Sequence, residues 1–179
     1  MLKIPVSRYE MQMTYRIARA WSTPRLDPLM VAVSNPYRWL APSVLIVMAL
    51  IYHDWQSALK AIFLGGLGAA IADGINTKVI KKRTDRIRPG KQFEDIRSLG
   101  IMNRGKKSFP SNHASNTMAF AAGLALVYPV VGMITIPLSL LVGYSRIYCG
   151  AHFPLDVLFG FLHGLFWVLV SYLLWNWMI

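Results

Sequence analysis

His152 and Asp156 stand four residues apart in "SRIYCGAHFPLD" (145–156). On a helix that spacing puts both on one face, where the carboxylate can accept from one imidazole nitrogen and leave the other to act as nucleophile. A second histidine, His113, follows Pro110 and Ser111 in "FPSNHAS" (109–115). Ser111 is a natural N-cap, and His113 then falls in a first helical turn, where backbone N–H groups favour an anion. From there an imidazole could protonate a leaving group. The third stretch, "KKRTDRIRP" (81–89), is a run of cations. Fixed positive groups suit phosphoryl transfer, because charge develops on the equatorial oxygens. One histidine would attack phosphorus, the other would protonate the departing oxygen, and water would later release phosphate.

Each stretch also has a plainer reading. A basic cluster commonly flanks a membrane span. Ser111 could be only a cap, and Asp156 only an acid at a helix N-terminus. What favours chemistry is the three stretches falling together on one membrane face.

The elements that must hold these residues are apolar. The 179 residues are 55% hydrophobic and include six tryptophans; their mean hydropathy is +0.41. Such a composition points to a membrane protein. The net charge of +11 suits either nucleic acid or anionic lipid and phosphate. The long apolar runs, and basic residues without interleaved aromatics, argue against nucleic acid. The lone Cys149 cannot form an internal disulfide, and no cleavable signal peptide is expected in the opening residues.

A span needs roughly 20 apolar residues. Five candidates emerge, at 36–53, 57–80, 112–130, 131–148 and 155–178. The expected fold is all-α, a polytopic membrane helix bundle of about five transmembrane helices forming a single domain over 1–179. Residues 1–35 interleave arginines with Tyr, Met, Ile and Trp, which suggests an interfacial amphipathic segment. Packing on the bundle and disorder are the alternatives. The glycines of the second span read as close helix packing. Five spans put the second and fourth loops on one side, and ten of the nineteen Lys and Arg residues lie between Lys81 and Lys107.

These residues resemble the signature of the type-2 phosphatidic acid phosphatase superfamily: K-x6-RP, then PSGH, then SR-x5-H-x3-D. Lys81 with Arg88-Pro89 matches the first part. Pro110-Ser111-Asn112-His113 matches the second, with asparagine in place of glycine, and Ser145-Arg146, His152 and Asp156 match the third. The resemblance covers 81–156. It implies His152 as the nucleophile forming a phosphohistidine, Asp156 as its orienter and His113 as general acid. It implies Lys81, Arg88, Ser111, Asn112 and Arg146 as phosphate-binding residues. Asparagine tolerates a left-handed backbone, so the departure at Asn112 is compatible with the turn.

Lys82, Arg83 and Arg86 are possible lipid-headgroup contacts. Loop 90–107, with Lys91, Arg97, Arg104, Lys106 and Lys107, either rims the pocket or is solvated. Asp73 and Asn76 sit near the end of the second span, and Asp73 is expected to pair with a nearby cation. His53 and His163 read as structural. No metal or cofactor is expected, since no Cys, His or carboxylate cluster has ligand spacing.

The implied substrate is a membrane lipid phosphate monoester or diphosphate reached from the bilayer. The family acts on lipid A 1-phosphate, undecaprenyl diphosphate, phosphatidylglycerophosphate and phosphatidic acid; the short five-span form resembles bacterial members, and an envelope lipid, lipid A 1-phosphate or undecaprenyl diphosphate, is the favoured expectation. A haloperoxidase and a non-catalytic lipid-binding scaffold are the rival readings. The positive-inside rule would make the site side cytoplasmic, whereas the resemblance implies the periplasmic face of a bacterial inner membrane. The second is the expectation adopted.

Overall fold

The computed structural model describes residues 1–100 and 105–178. The chain enters through two short helices, α1 (Arg8–Tyr15), continued by a π-turn over Arg16–Ala20, and α2 (Asp27–Val33). Four long helices and a shorter one follow. They are α3 (Pro36–His53), α4 (Trp55–Ile75), α5 (Asn112–Val127), α6 (Pro129–Tyr148) and α7 (Pro154–Met178). Helix α4 runs on through Asn76–Ile80 and Lys81–Arg83, giving a continuous stretch Trp55–Arg83 of 29 residues. Among the described residues there is no strand, only the isolated bridges Leu2–Thr84 and Ile87–Lys107.

All five expected apolar segments are helical. Three of them, Trp55–Arg83, Pro129–Tyr148 and Pro154–Met178, are long and apolar enough to cross a membrane by length and composition. Helix α3 is diluted by Arg38 and His53 at its ends. Helix α5 has only 16 residues and starts with the polar run Asn112, His113, Ser115, Asn116 and Thr117. The expected count of five crossings thus stands at five helices, three with the apolar length.

Starts and stops follow local chemistry. Asp54 caps α4 by accepting from Gln56 and Ser57 N–H, and Asn35 caps α3 ahead of Pro36. Ser111 caps α5 through Ala114 N–H, as its position implied. Helix α5 sits in the middle of the bundle, against α4, α6 and α7. Small residues allow that closeness: a methyl on Gly123 would lie 2.5 Å from Gly65 N, and one on Gly160 would lie 2.7 Å from Ser111 O. The second contact seats α7 directly on the start of α5.

Residues 1–35 pack on the site end of the bundle, the alternative to a free interfacial segment. Thr14 and Ala18 are fully buried, and Ile17, Met30 and Val33 nearly so. Tyr9, Met13, Trp21 and Leu29 remain exposed on the other face. The segment keeps an apolar outer surface while its inner face is locked down.

Candidate active site

The two loops at the site end are built by short-range backbone pairing. Arg88 N–H donates to Lys106 O at 3.1 Å and Ser108 N–H to Arg86 O at 2.7 Å, which sets Lys106 and Lys107 beside Arg88. At the end of α6 the chain reverses through Gly150, whose φ of +67° a side chain would strain. A methyl there would also come within 2.4 Å of Arg97 O. The turn returns His152 to α6, with His152 N–H donating to Arg146 O at 3.2 Å. Ser111 N–H donates to Asp156 O at 3.1 Å, tying the start of α5 to the start of α7.

These ties bring all three motifs together. A cavity of about 370 Å³ is lined by Lys81, Arg88, Asn112, His113 and His152, and further by Pro36, Asp73, Asn116 and Thr117. Ser111, Arg146 and Asp156 are buried behind its wall, each at most 1% exposed. A neighbouring cavity of about 350 Å³ shares Lys81 and Arg88 and adds Lys82, Gly105, Lys106 and Lys107.

His152 is buried, and burial pushes its pKa well below the usual histidine value. The positive charges of Arg146, Arg88 and Lys81 push in the same direction. The imidazole is therefore neutral, the form that can attack phosphorus. Its Nδ1 lies 3.7 Å from Asp156 Oδ2. That is too long for a hydrogen bond, so the expected direct His–Asp bond is not formed. Nor do the two share a helical face: α7 begins at Pro154, and His152 precedes it. Asp156 instead accepts from Phe153 N–H at 2.9 Å and pairs through Oδ1 with Arg86 at 2.5 Å.

Arg86 is accordingly no headgroup contact. It is 2% exposed and spans two buried carboxylates, Asp156 on one arm and Glu10 of α1 on the other, the latter also at 2.5 Å. Its guanidinium lies 4.6 Å from the Phe153 ring centre. Glu10 also accepts from Leu155 N–H at 3.2 Å, putting an acid on the α7 N-terminus. Arg146 is held similarly, its Nη1 donating to Ser34 Oγ and to Ser34 O at 3.3 Å. Neither Glu10 nor Ser34 was marked by sequence.

Asn112 spends its side chain inside the protein. Lys81 Nζ donates to its Oδ1 at 2.6 Å, and its Nδ2 donates to Asp73 Oδ1 at 2.7 Å and Thr77 Oγ1 at 2.8 Å. The side chain thus holds Lys81 in place. Asp73 takes amide donors rather than the expected cation, with Asn116 adding a bond at 3.0 Å. Asn76 is buried and donates to Ser115 Oγ at 3.0 Å.

Of the remaining basic residues, Lys82 lines the neighbouring cavity, whereas exposed Arg83 lines neither. Loop 90–107 divides: Lys106 and Lys107 line that second cavity, Arg97 is paired with Asp27 at 2.6 Å, and Lys91 is exposed. Arg104 lies outside the described residues. His163 accepts from Trp167 Nε1 at 2.8 Å and stacks on Phe159, a structural role.

A helical bundle with apolar spans and a cavity lined by two histidines and two cations, Lys81 and Arg88, defines a class of integral membrane protein. The chain belongs to the PAP2 superfamily, whose family model matches residues 60–179. It is 27% identical over 125 residues to a lipid A 1-phosphatase of Rhizobium johnstonii, covering 65% of this chain and 51% of the relative. It is 28% identical over 162 residues to phosphatidylglycerophosphatase B of Bacillus subtilis, covering 79% and 71%. The chain thus spans about half the length of the lipid A 1-phosphatase it matches. The fold is shared with Aquifex aeolicus LpxE, with a TM-score of 0.72 at 24% identity over 95% of this chain and 98% of that one. It is also shared with a PAP2-type phosphatidylglycerolphosphate phosphatase of Bacillus subtilis, with a TM-score of 0.65 at 24% identity, covering 97% and 89%.

Proposed function

We propose that the chain is a metal-independent lipid phosphatase acting on a bacterial envelope lipid phosphate. The observation that carries this is one cavity lined by His152, His113, Lys81 and Arg88. His152 Nε2 attacks phosphorus, a P–N bond forms, and the P–O bond to the lipid breaks as His113 gives its proton to the departing oxygen. Water then attacks the phosphohistidine, His113 takes back a proton, and the P–N bond breaks to release phosphate. Lys81, Arg88 and the first-turn backbone of α5 hold the phosphoryl oxygens, with Arg146 adding charge from behind. The Asp156 carboxylate, 3.7 Å from His152 Nδ1, offsets the positive charge that the imidazole gains as it becomes a phosphoimidazolium.

Lipid A 1-phosphate and undecaprenyl diphosphate are the leading substrates on this reading, with phosphatidylglycerophosphate and phosphatidic acid as alternatives. The names of the relatives support a lipid phosphate. The site is assigned to the periplasmic face of the inner membrane. The test is phosphate release by detergent-purified protein in EDTA, with these four lipids in parallel and His152→Ala as blank. Release that disappears in the variant is the expected result. Release that survives His152→Ala would exclude the mechanism.

A further inference from the structure

We infer that Glu10 is a positioning residue for the phosphoryl step: by engaging one arm of Arg86 it leaves Asp156 with negative charge to meet the positive charge that develops on His152. The inference rests on the phosphatase reading and adds to its site a residue outside the region matched by the family, 60–179.

Three charged side chains, Glu10, Arg86 and Asp156, meet out of contact with solvent. Arg86 Nη2 lies 2.5 Å from Glu10 Oε2, and its Nη1 lies 2.5 Å from Asp156 Oδ1. Among the described residues, Arg86 is the one Lys or Arg at ion-pair distance from either carboxylate. Two carboxylates against one guanidinium leave one negative charge in excess. An isolated charge of that kind is strongly disfavoured in a buried site. Here it rests on the start of α7, where Leu155 N–H donates to Glu10 Oε1 at 3.2 Å and Phe153 N–H donates to Asp156 Oδ2 at 2.9 Å.

The excess charge acts at His152. Its Nδ1 is buried and makes no hydrogen bond among the described residues, with Asp156 Oδ2 3.7 Å away. When Nε2 bonds phosphorus, Nδ1 keeps its proton and the ring gains one positive charge. Oδ2 and Nδ1–H then attract, and closing the gap makes a charge-assisted hydrogen bond that the resting site lacks. An interaction made only as charge develops raises kcat and leaves KM unchanged. Arg86 could prevent it. A guanidinium readily forks onto one carboxylate through two nitrogens. With both nitrogens on Asp156 the pair would be neutral, and Oδ2 would be drawn away from His152. Glu10 blocks that fork by holding Nη2.

The test compares Glu10→Gln, which removes the charge at unchanged length, with Glu10→Asp, which keeps the charge on a shorter arm. Turnover is measured in detergent with EDTA on whichever of the four lipids the unmodified chain hydrolyses. Vanadate binding is measured beside it, because vanadate readily takes a fifth ligand and draws the same charge onto His152 without turnover. Glu10→Gln should lower kcat and weaken vanadate binding by about tenfold each, with KM held within about twofold. Glu10→Asp should stay within about threefold of the unmodified chain on both readouts, although its thermal midpoint falls too. A merely structural Glu10 would make both readouts follow the thermal midpoint instead of the charge. Equal losses in the two variants, or none in either, would overturn the inference. If Glu10→Gln does not fold, Glu10→Asp decides alone: activity kept at a lowered midpoint supports the inference, and activity lost overturns it. Failure of the unmodified chain to release phosphate from any of the four lipids counts instead against the phosphatase reading, and the vanadate comparison still decides this one.

Discussion

Arg86 Nη1 lies 2.5 Å from Asp156 Oδ1, with both side chains closed to solvent. The residue expected to orient the nucleophile is thus itself held by a cation from the first motif's variable stretch. The other arm of the same guanidinium reaches Glu10, so α1, the loop after α4 and the start of α7 share one buried ionic joint.

Breaking that joint leaves two buried carboxylates without their cation, which costs about 3–5 kcal/mol in comparable pairs. Arg86→Ala should lower the thermal midpoint in detergent by a matching amount. Arg86→Lys should keep the fold better yet lower kcat with little change in KM, because one ammonium cannot bridge both carboxylates as the planar fork does. An unchanged kcat in Arg86→Lys would mean that only charge, and not geometry, acts on Asp156.

The depressed pKa of His152 fixes a sign. Above pH 6.5 the residue is neutral folded and unfolded alike, so it adds no slope. As pH falls below 6.5 the unfolded chain takes up a proton that the buried imidazole refuses. Stability should therefore decline there, by at most about 1.4 kcal/mol per pH unit from this group. Melting curves from pH 8 to pH 5 check it, and His152→Asn should flatten that decline. An identical slope in the variant would assign the acid sensitivity to other groups.

Vanadate, a phosphate mimic, should inhibit competitively in the presence of EDTA through the cavity of Lys81, Arg88 and His152. Arg88→Ala should weaken that inhibition about tenfold or more, as expected when a charged hydrogen-bond donor is lost. Inhibition unaffected by Arg88→Ala would place vanadate away from this cavity.

The cavity's composition was legible because motif chemistry is local: Ser111 as a cap, His113 in the following turn, and His152 four before Asp156 can all be read along the chain. Arg86 was misread for the same reason. Among Lys82, Arg83 and Arg86 nothing in sequence separates the one that folds inward, since its two carboxylate partners lie 76 and 70 residues away. Asn112 shows a subtler failure. Its backbone tolerance was the visible property, yet its amide joins Lys81 to Asp73, a link between two helices with no sequence signature. The helix start was also shifted: Pro154 opens α7, which leaves His152 on the turn held by Gly150.

The first residues of the chain are stitched to the site end of the bundle. Leu2 N–H donates to Arg83 O at 2.7 Å, and Asp85 N–H donates to Leu2 O at 3.1 Å, two and four residues beyond Lys81. Leu2 and the cavity of Lys81, Arg88 and His152 must therefore occupy the same compartment. A compartment-sensitive reporter placed just ahead of Leu2 becomes a proxy for the orientation of the chain. The contest between basic loops and periplasmic placement thus reduces to reading which side that reporter lights up.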